Sequence, residues 1–500
     1  MAQGTLSMVS VLAALAVLSM GTAAAGATTA DRERGAQTIV AAELLDDVAW
    51  LAAPERDGRL SGGRGYEAAV RWATDRFAAL GLEPAGDAGF RQTLAVEYNE
   101  IVGTPHLTVA TADGRVRHAV LGEDFLCRGF TGSGRVVAPV TFVGYGVSLP
   151  DRGHDDYAGA DVTGHVVLCL KPAPPWRPAD GESWGWDAST PRPKAAWAAA
   201  HGARAMLWVQ PPRGDRPSAP IASVLHGSGE QDPDFPQLEI SMEFADVLLG
   251  GEGRLLAARE ALDAGKAPAP RPLAAQVEID VRARYDAARE TCNVVAVLPG
   301  ADPELSRECV VLGAHLDHVG RQSPELYLPG ANDNASGAAA IIALARAFAT
   351  AGERPARSLV FVLFASEEQG LNGSRHYVDH PVLPLERTAA MLNFDCVAHG
   401  DSIQLGSGDT SPELWRLARD LDAGHAGWSV ARTWGGGGAD AAPFHQGGVP
   451  TLYFATTGSY THLHRPGDRP ETLNGPLFQE LVRLGFRTAW EVANRRAGGA

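Results

Sequence analysis

"SLVFVLFASEEQGLNGS", residues 358–374, decides how this chain is read. Its apolar run does not alternate, so it describes a strand covered on both faces rather than a half-exposed one. The run stops at two adjacent acids, Glu367 and Glu368. The same texture recurs in "TCNVVAVLPG", "ECVVLGAHLDH", "AAMLNFDCVAHG" and "VPTLYFATT". Between these runs lie helical patterns such as "ASGAAAIIALARAFATAG" and "SPELWRLARDLDAG". Buried strands alternating with helices predict an α/β fold, a mixed central sheet flanked by helices.

In such sheets functional groups collect just past the carboxyl ends of the strands. There the sequence places His315, Asp317 and His318 after "CVVLGA", Glu367 and Glu368 after "FVLFAS", and Asp395 after "AMLNF". Asp333 stands in "LPGANDNASG", just before a helical pattern, and His462 and His464 stand in "SYTHLHRPGDRPETL". Imidazoles and carboxylates without a set of thiolates suit zinc or a similar divalent ion. The HExxH pattern of a single-zinc helical site is absent. His376 and His380 share a helix spacing without an accompanying glutamate and are read as part of a surface helix.

The ordered motifs "GAHLDHVG", "PGANDNASG", "ASEEQGLNGS", "NFDCVAHG" and "HLHRPGD" resemble the co-catalytic zinc exopeptidases of metallopeptidase family 28. The resemblance covers about 285–495 and implies the following roles. His315 and Asp395 hold one zinc ion, Glu368 and His464 the other, and Asp333 bridges the two. Glu367 is the general base, and Asp317 orients the His315 imidazole. His464 is preferred over His462 because "HRPGD" follows it, with Asp468 in support. His318 is expected to face away. The family's Ser-Asp-His stretch is reduced here to Ala439-Asp440-Ala441. Tyr460 is a candidate oxyanion or substrate contact, with a packed tyrosine the preferred reading. Arg321 and Arg465 lie near the metal motifs without establishing a pocket for acidic substrates.

The implied activity is a secreted zinc-dependent exopeptidase, an aminopeptidase acting on peptides or small proteins. A carboxypeptidase or dipeptidase of the same fold is the near alternative. A glutaminyl cyclase, which typically works with one zinc, and a receptor-like relative that has lost its ligands fit the full ligand set less well.

The middle region, with "FVGYGV", "DDYAGADVTGHVVLCLK" and "AAHGARAMLWV", resembles a smaller β-rich protease-associated domain inserted into such peptidases. The expected organisation is a signal peptide at 1–27, the first part of the peptidase domain at 28–130, the insertion at 131–273 and the catalytic domain at 274–500. The connector "DAGKAPAPRPL" marks the last boundary. The first 27 residues carry no charged side chain and contain the apolar run "LSMVSVLAALAVLSM" followed by small residues. Cleavage near residues 25–27 and a secreted or periplasmic location are expected. No later segment is a long uninterrupted apolar run, so no membrane association is expected after cleavage.

The 500 residues are 45% hydrophobic and 20% charged, a globular composition with room for more than one domain. A net charge of −16 argues against a nucleic-acid partner. The five cysteines form no CxxC pair, and three of them lie in or beside apolar runs that favour buried free thiols. Oligomeric state has no signature in the sequence.

Overall fold

The computed structural model describes residues 29–185, 188, 190–212, 220–223, 230–265 and 270–495. The expected signal segment lies outside them. Two eight-stranded sheets organise the chain. The first is the mixed α/β sheet read from the apolar runs. Its centre is four parallel strands in the order Ser358–Phe364, Cys309–His315, Thr388–Phe394, Thr451–Thr456. Antiparallel strands, Ala283–Leu298 on one side and Ile403–Gly406 on the other, flank them.

Every residue of Cys309–His315, Ser358–Phe364 and Thr451–Thr456 is buried, because helices cover both faces. Ala41–Leu51, Arg64–Ala79, Gly337–Thr350 and Gly475–Asn494 share one core with one face. Tyr377 and Phe444, from the short helices Asn372–Asp379 and Ala441–Gln446, pack on the other. The Gly337–Thr350 helix is apolar almost all round, as a helix enclosed by sheet and other helices must be. Its first residue has to be glycine: a Cβ on Gly337 would stand 2.3 Å from the Phe394 carbonyl oxygen. That close approach brings the Asp333 turn against the end of the strand carrying Asp395.

The second sheet takes in more chain than 131–273. Its strands run from His106–Thr111 to Arg271–Val281, and these two pair antiparallel with each other. Composition marks the Pro/Ala connector but carries no information about which sheet its neighbouring strands join. Leu126 and Ala222 of this second unit pack with Val319 and Leu328, from the loop between the His315 strand and Asp333. All five cysteines are buried and free. No helix among the described residues is long and apolar enough to cross a membrane.

Candidate metal centre

The four central strands are parallel, so their carboxyl ends open on one edge of the sheet. Four of the five expected ligands follow those ends, and Asp333 comes from the turn packed against them. His315 is the last residue of its strand. After Phe364 the chain turns through Ser366, whose φ of 56° lies in the left-handed region. The Ser61 hydroxyl oxygen accepts from the Ser366 N–H (2.8 Å), and the Asp317 carboxylate accepts from the Glu367 N–H (3.1 Å). The two glutamates therefore leave a pinned turn rather than a continuing strand.

The structure brings the five expected ligands into two groups that share Asp333. His315 Nε2 lies 3.3 Å from Asp333 Oδ1 and 3.5 Å from Asp395 Oδ1. His464 Nε2 lies 3.2 Å from Asp333 Oδ2 and 2.8 Å from Glu368 Oε2. Donors about 2.0–2.1 Å from a tetrahedral zinc ion stand about 3.3 Å from one another, so both groups have the spacing of a ligand set. Buried Asp395 Oδ1 has no hydrogen-bond partner among the described residues, which is costly unless a cation faces it. The residues present fit two divalent ions.

Support for these groups comes from outside the motifs as well as within them. Asp468 accepts the Asn332 and Asp333 backbone N–H groups, one on each carboxylate oxygen (2.8 and 3.0 Å). The Tyr453 hydroxyl donates to Asp395 Oδ2 at 2.5 Å. His315 Nδ1 is 3.2 Å from the Asp317 backbone carbonyl and 3.7 Å from its carboxylate, so the carbonyl is the nearer partner of the imidazole. Arg59 is fully buried and donates to the carbonyls of Leu51, Leu316, Pro329 and Gly330. It ties together the loops on either side of the centre. Nothing in "RDGRLSGG" separates this arginine from a surface one. Burial lowers it to about 10, with Asp468 and Asp333 pulling the other way.

Two expectations change. His318 does not face away: its Nδ1 lies 2.8 Å from Glu368 Oε1, which leaves Oε2 for the ligand group. Strand alternation fails there because the strand ends at His315 and the chain continues as a loop. Tyr460 is not packed but 57% exposed, on the rim of the pocket. Arg321 lies 3.5 Å from Asp57 and lines a separate crevice with Arg64, Arg284 and Arg289, away from the ligand groups. His462 stacks edge-on with His399 and is not in the ligand groups.

The centre floors an open pocket of about 350 Å³ walled by Trp434, Gly438, Ala439, Tyr453, Tyr460 and Leu463. Glu367 lines it. Enclosure pushes its carboxyl well above the usual range, and Glu368, Asp440 and Asp395 add to this against the pull of His315. Asp440 is fully buried. Burial raises it to about 7, against His315 and Ser374 and with Asp317 and Asp395. Burial works against a charged His315, but Glu367, Asp317, Asp333 and Asp395 outweigh it and hold that imidazole well above its ordinary value.

The family model for peptidase family M28 matches residues 293–488, the stretch that carries every one of these ligands. That stretch is about two fifths of the chain. The M28 region is similar to leupeptin-inactivating enzyme 1 of Streptomyces exfoliatus, 32% identical over 170 residues, 34% of this chain and 36% of that protein. It is also similar to a probable leucine aminopeptidase of Trichophyton verrucosum, 28% identical over 209 residues, 40% of this chain and 57% of that protein. The chain thus spans about a third to just over half the length of these relatives. An aminopeptidase from Aneurinibacillus sp. strain AM-1 shares the fold, with a TM-score of 0.65, 20% identity, and coverage of 93% of this chain and 97% of that one. Such coverage takes in both sheets.

Proposed function

We propose that this chain is a zinc-dependent exopeptidase with two metal ions, an aminopeptidase that releases N-terminal residues from peptides. The observation that carries the reading is the pair of ligand groups sharing Asp333, with Glu367 beside them and outside both coordinating sets. His315, Asp395 and Asp333 would hold one ion, and Asp333, Glu368 and His464 the other. Bound there, the ions supply Lewis acidity towards the scissile carbonyl and acidify water.

Glu367 takes the proton of the attacking water and returns it to the leaving amine. Asp317 keeps Glu367 in place through the Glu367 N–H. His318 holds Glu368, and Tyr453 holds Asp395, so each terminal carboxylate ligand has one oxygen fixed and one free. Trp434, Tyr453, Tyr460 and Leu463 give the pocket an apolar wall for the side chain of the residue to be released.

The relatives called leucine aminopeptidases, and a solved zinc aminopeptidase from Bacillus subtilis that shares the fold, support this choice of metal and substrate end. The β-rich second unit is read as a protease-associated domain and residues 1–27 as a cleaved export signal. Metal analysis, together with digestion of one peptide in free, N-blocked and C-blocked forms, tests the reading. Two zinc equivalents and cleavage of only the free and C-blocked peptides are expected. Trimming of the N-blocked peptide from its C-terminus would replace aminopeptidase by carboxypeptidase, and activity in the presence of a strong chelator would remove the metal.

A further inference from the structure

Among the described residues, the second domain reaches the metal centre at Ala222. The Ala222 N–H donates to the His464 carbonyl at 3.0 Å, and the His464 ring meets the Ala222 carbonyl through Nδ1 at 3.0 Å. These two residues are 242 positions apart. A carbonyl can only accept, so this contact keeps a proton on Nδ1 and makes Nε2 the atom available to a metal ion. Nε2 is the atom that faces Asp333 and Glu368.

The contact is built from the second sheet outward. Glu239, fully buried on the Gln237–Ile240 strand, is held by Arg128 and Lys171 and accepts the Ile221 N–H. Ala222 is itself fully buried, packed with Leu126, Val319 and Leu328. On the other side, His464 has a φ of 54°, a backbone conformation that non-glycine residues seldom adopt without support. A second tie joins the same two bodies: the Gln322 amide pairs with the Cys127 backbone, accepting its N–H at 2.7 Å and donating to its carbonyl at 3.3 Å. Gln322 lies in the loop that connects His315 to Asp333.

We infer that the second domain is a working part of the metal centre, with the Ala222 backbone acting as the positioning group that fixes the tautomer and orientation of His464. This rests on the two-ion reading above, and it makes loading of the ion held by Glu368 and His464 depend on the docked state of the second domain. Among the described residues, no hydrogen bond from the second domain reaches the His315 or Asp395 side chain. Partners that orient a ligating imidazole from behind typically matter 10–100-fold in metal affinity, which sets the scale expected here at roughly the same value.

The test is a stepwise zinc titration of the metal-free full chain as wild type, Ala222→Gly and Ala222→Pro. Glycine keeps both backbone bonds, whereas proline removes the N–H and disturbs the pairing. Two ions are expected to bind to wild type and Ala222→Gly alike. In folded Ala222→Pro, one of the two binding steps should weaken about 10–100-fold and the other should be unchanged. Equal loss of both ions, or no loss, would overturn the inference. Fewer than two ions on wild type would instead undo the two-ion reading. Should Ala222→Pro fail to fold, the long-range ¹H–¹⁵N spectrum of histidine-labelled zinc-loaded wild type decides, with His464 assigned by its absence in His464→Gln. An Nδ1 proton protected from exchange with water, as a bond to the buried Ala222 carbonyl requires, supports the inference, and one that exchanges as freely as that of an exposed imidazole refutes it.

Discussion

Replacing Asp468 by asparagine is a nearly isosteric change with a large expected cost. Each of its two oxygens accepts one backbone N–H, from Asn332 and from Asp333. Asn offers one acceptor and turns an NH₂ towards the other N–H. One hydrogen bond to a charged acceptor is lost, worth about 1.5–3 kcal/mol, and a buried donor is left facing another donor, at about 1–3 kcal/mol. Asp468 is only 1% exposed, so water cannot readily repair the defect. A net cost of about 3 kcal/mol corresponds to a fall of roughly 5 °C or more in the melting of the catalytic domain. The released turn is the one that carries the bridging Asp333, so zinc affinity should fall roughly 10–100-fold at both positions. Melting of the metal-free chain and zinc titration against a chelating dye measure the two effects separately. Unchanged melting with zinc binding within about twofold of wild type would show that Asp468 does not hold the bridge, and the account of the turn would be wrong.

Three further outcomes follow from other contacts. Glu367→Gln should keep both zinc equivalents while kcat falls by about 10²–10⁴, read by metal analysis beside steady-state kinetics; near-normal turnover would move the base elsewhere. Tyr453→Phe removes the donor to Asp395 Oδ2 and should weaken the His315/Asp395 ion by about tenfold, leaving the other step of a zinc titration in place. Lys194 is fully buried, donates to the carbonyls of Leu170, Lys171 and Pro172, and is lowered by burial to about 8 from an unfolded value of 10.5. Because the unfolded chain holds that proton to higher pH, stability contributed at this site rises between about pH 8 and 10.5. The unfolding free energy of wild type relative to Lys194→Met should therefore climb by about 3 kcal/mol across the window, measured by denaturant titration of both proteins; a flat difference would mean that the amine titrates normally.

Much of the site could be read before any coordinates. Unbroken apolar runs identify strands covered on both faces. Such strands put their polar followers on one sheet edge, which is why His315, Glu367, Glu368 and Asp395 were found together. Strand alternation then misassigned His318, since alternation applies only while the strand lasts and this one stops three residues earlier. Nor could Tyr460 be judged from sequence, because exposure of a rim residue depends on which loops approach it.

The sheet and its helices are legible in the sequence because apolar periodicity is a local property, whereas the five ligand positions came from the resemblance of its motifs to family 28. Tertiary structure alone decided that Arg59 is buried among four carbonyls, that Tyr453 reaches Asp395, and that Ala222 of the second domain meets His464. Each of these contacts joins segments far apart in the chain, and backbone carbonyls, which every residue carries, leave no signature in the sequence.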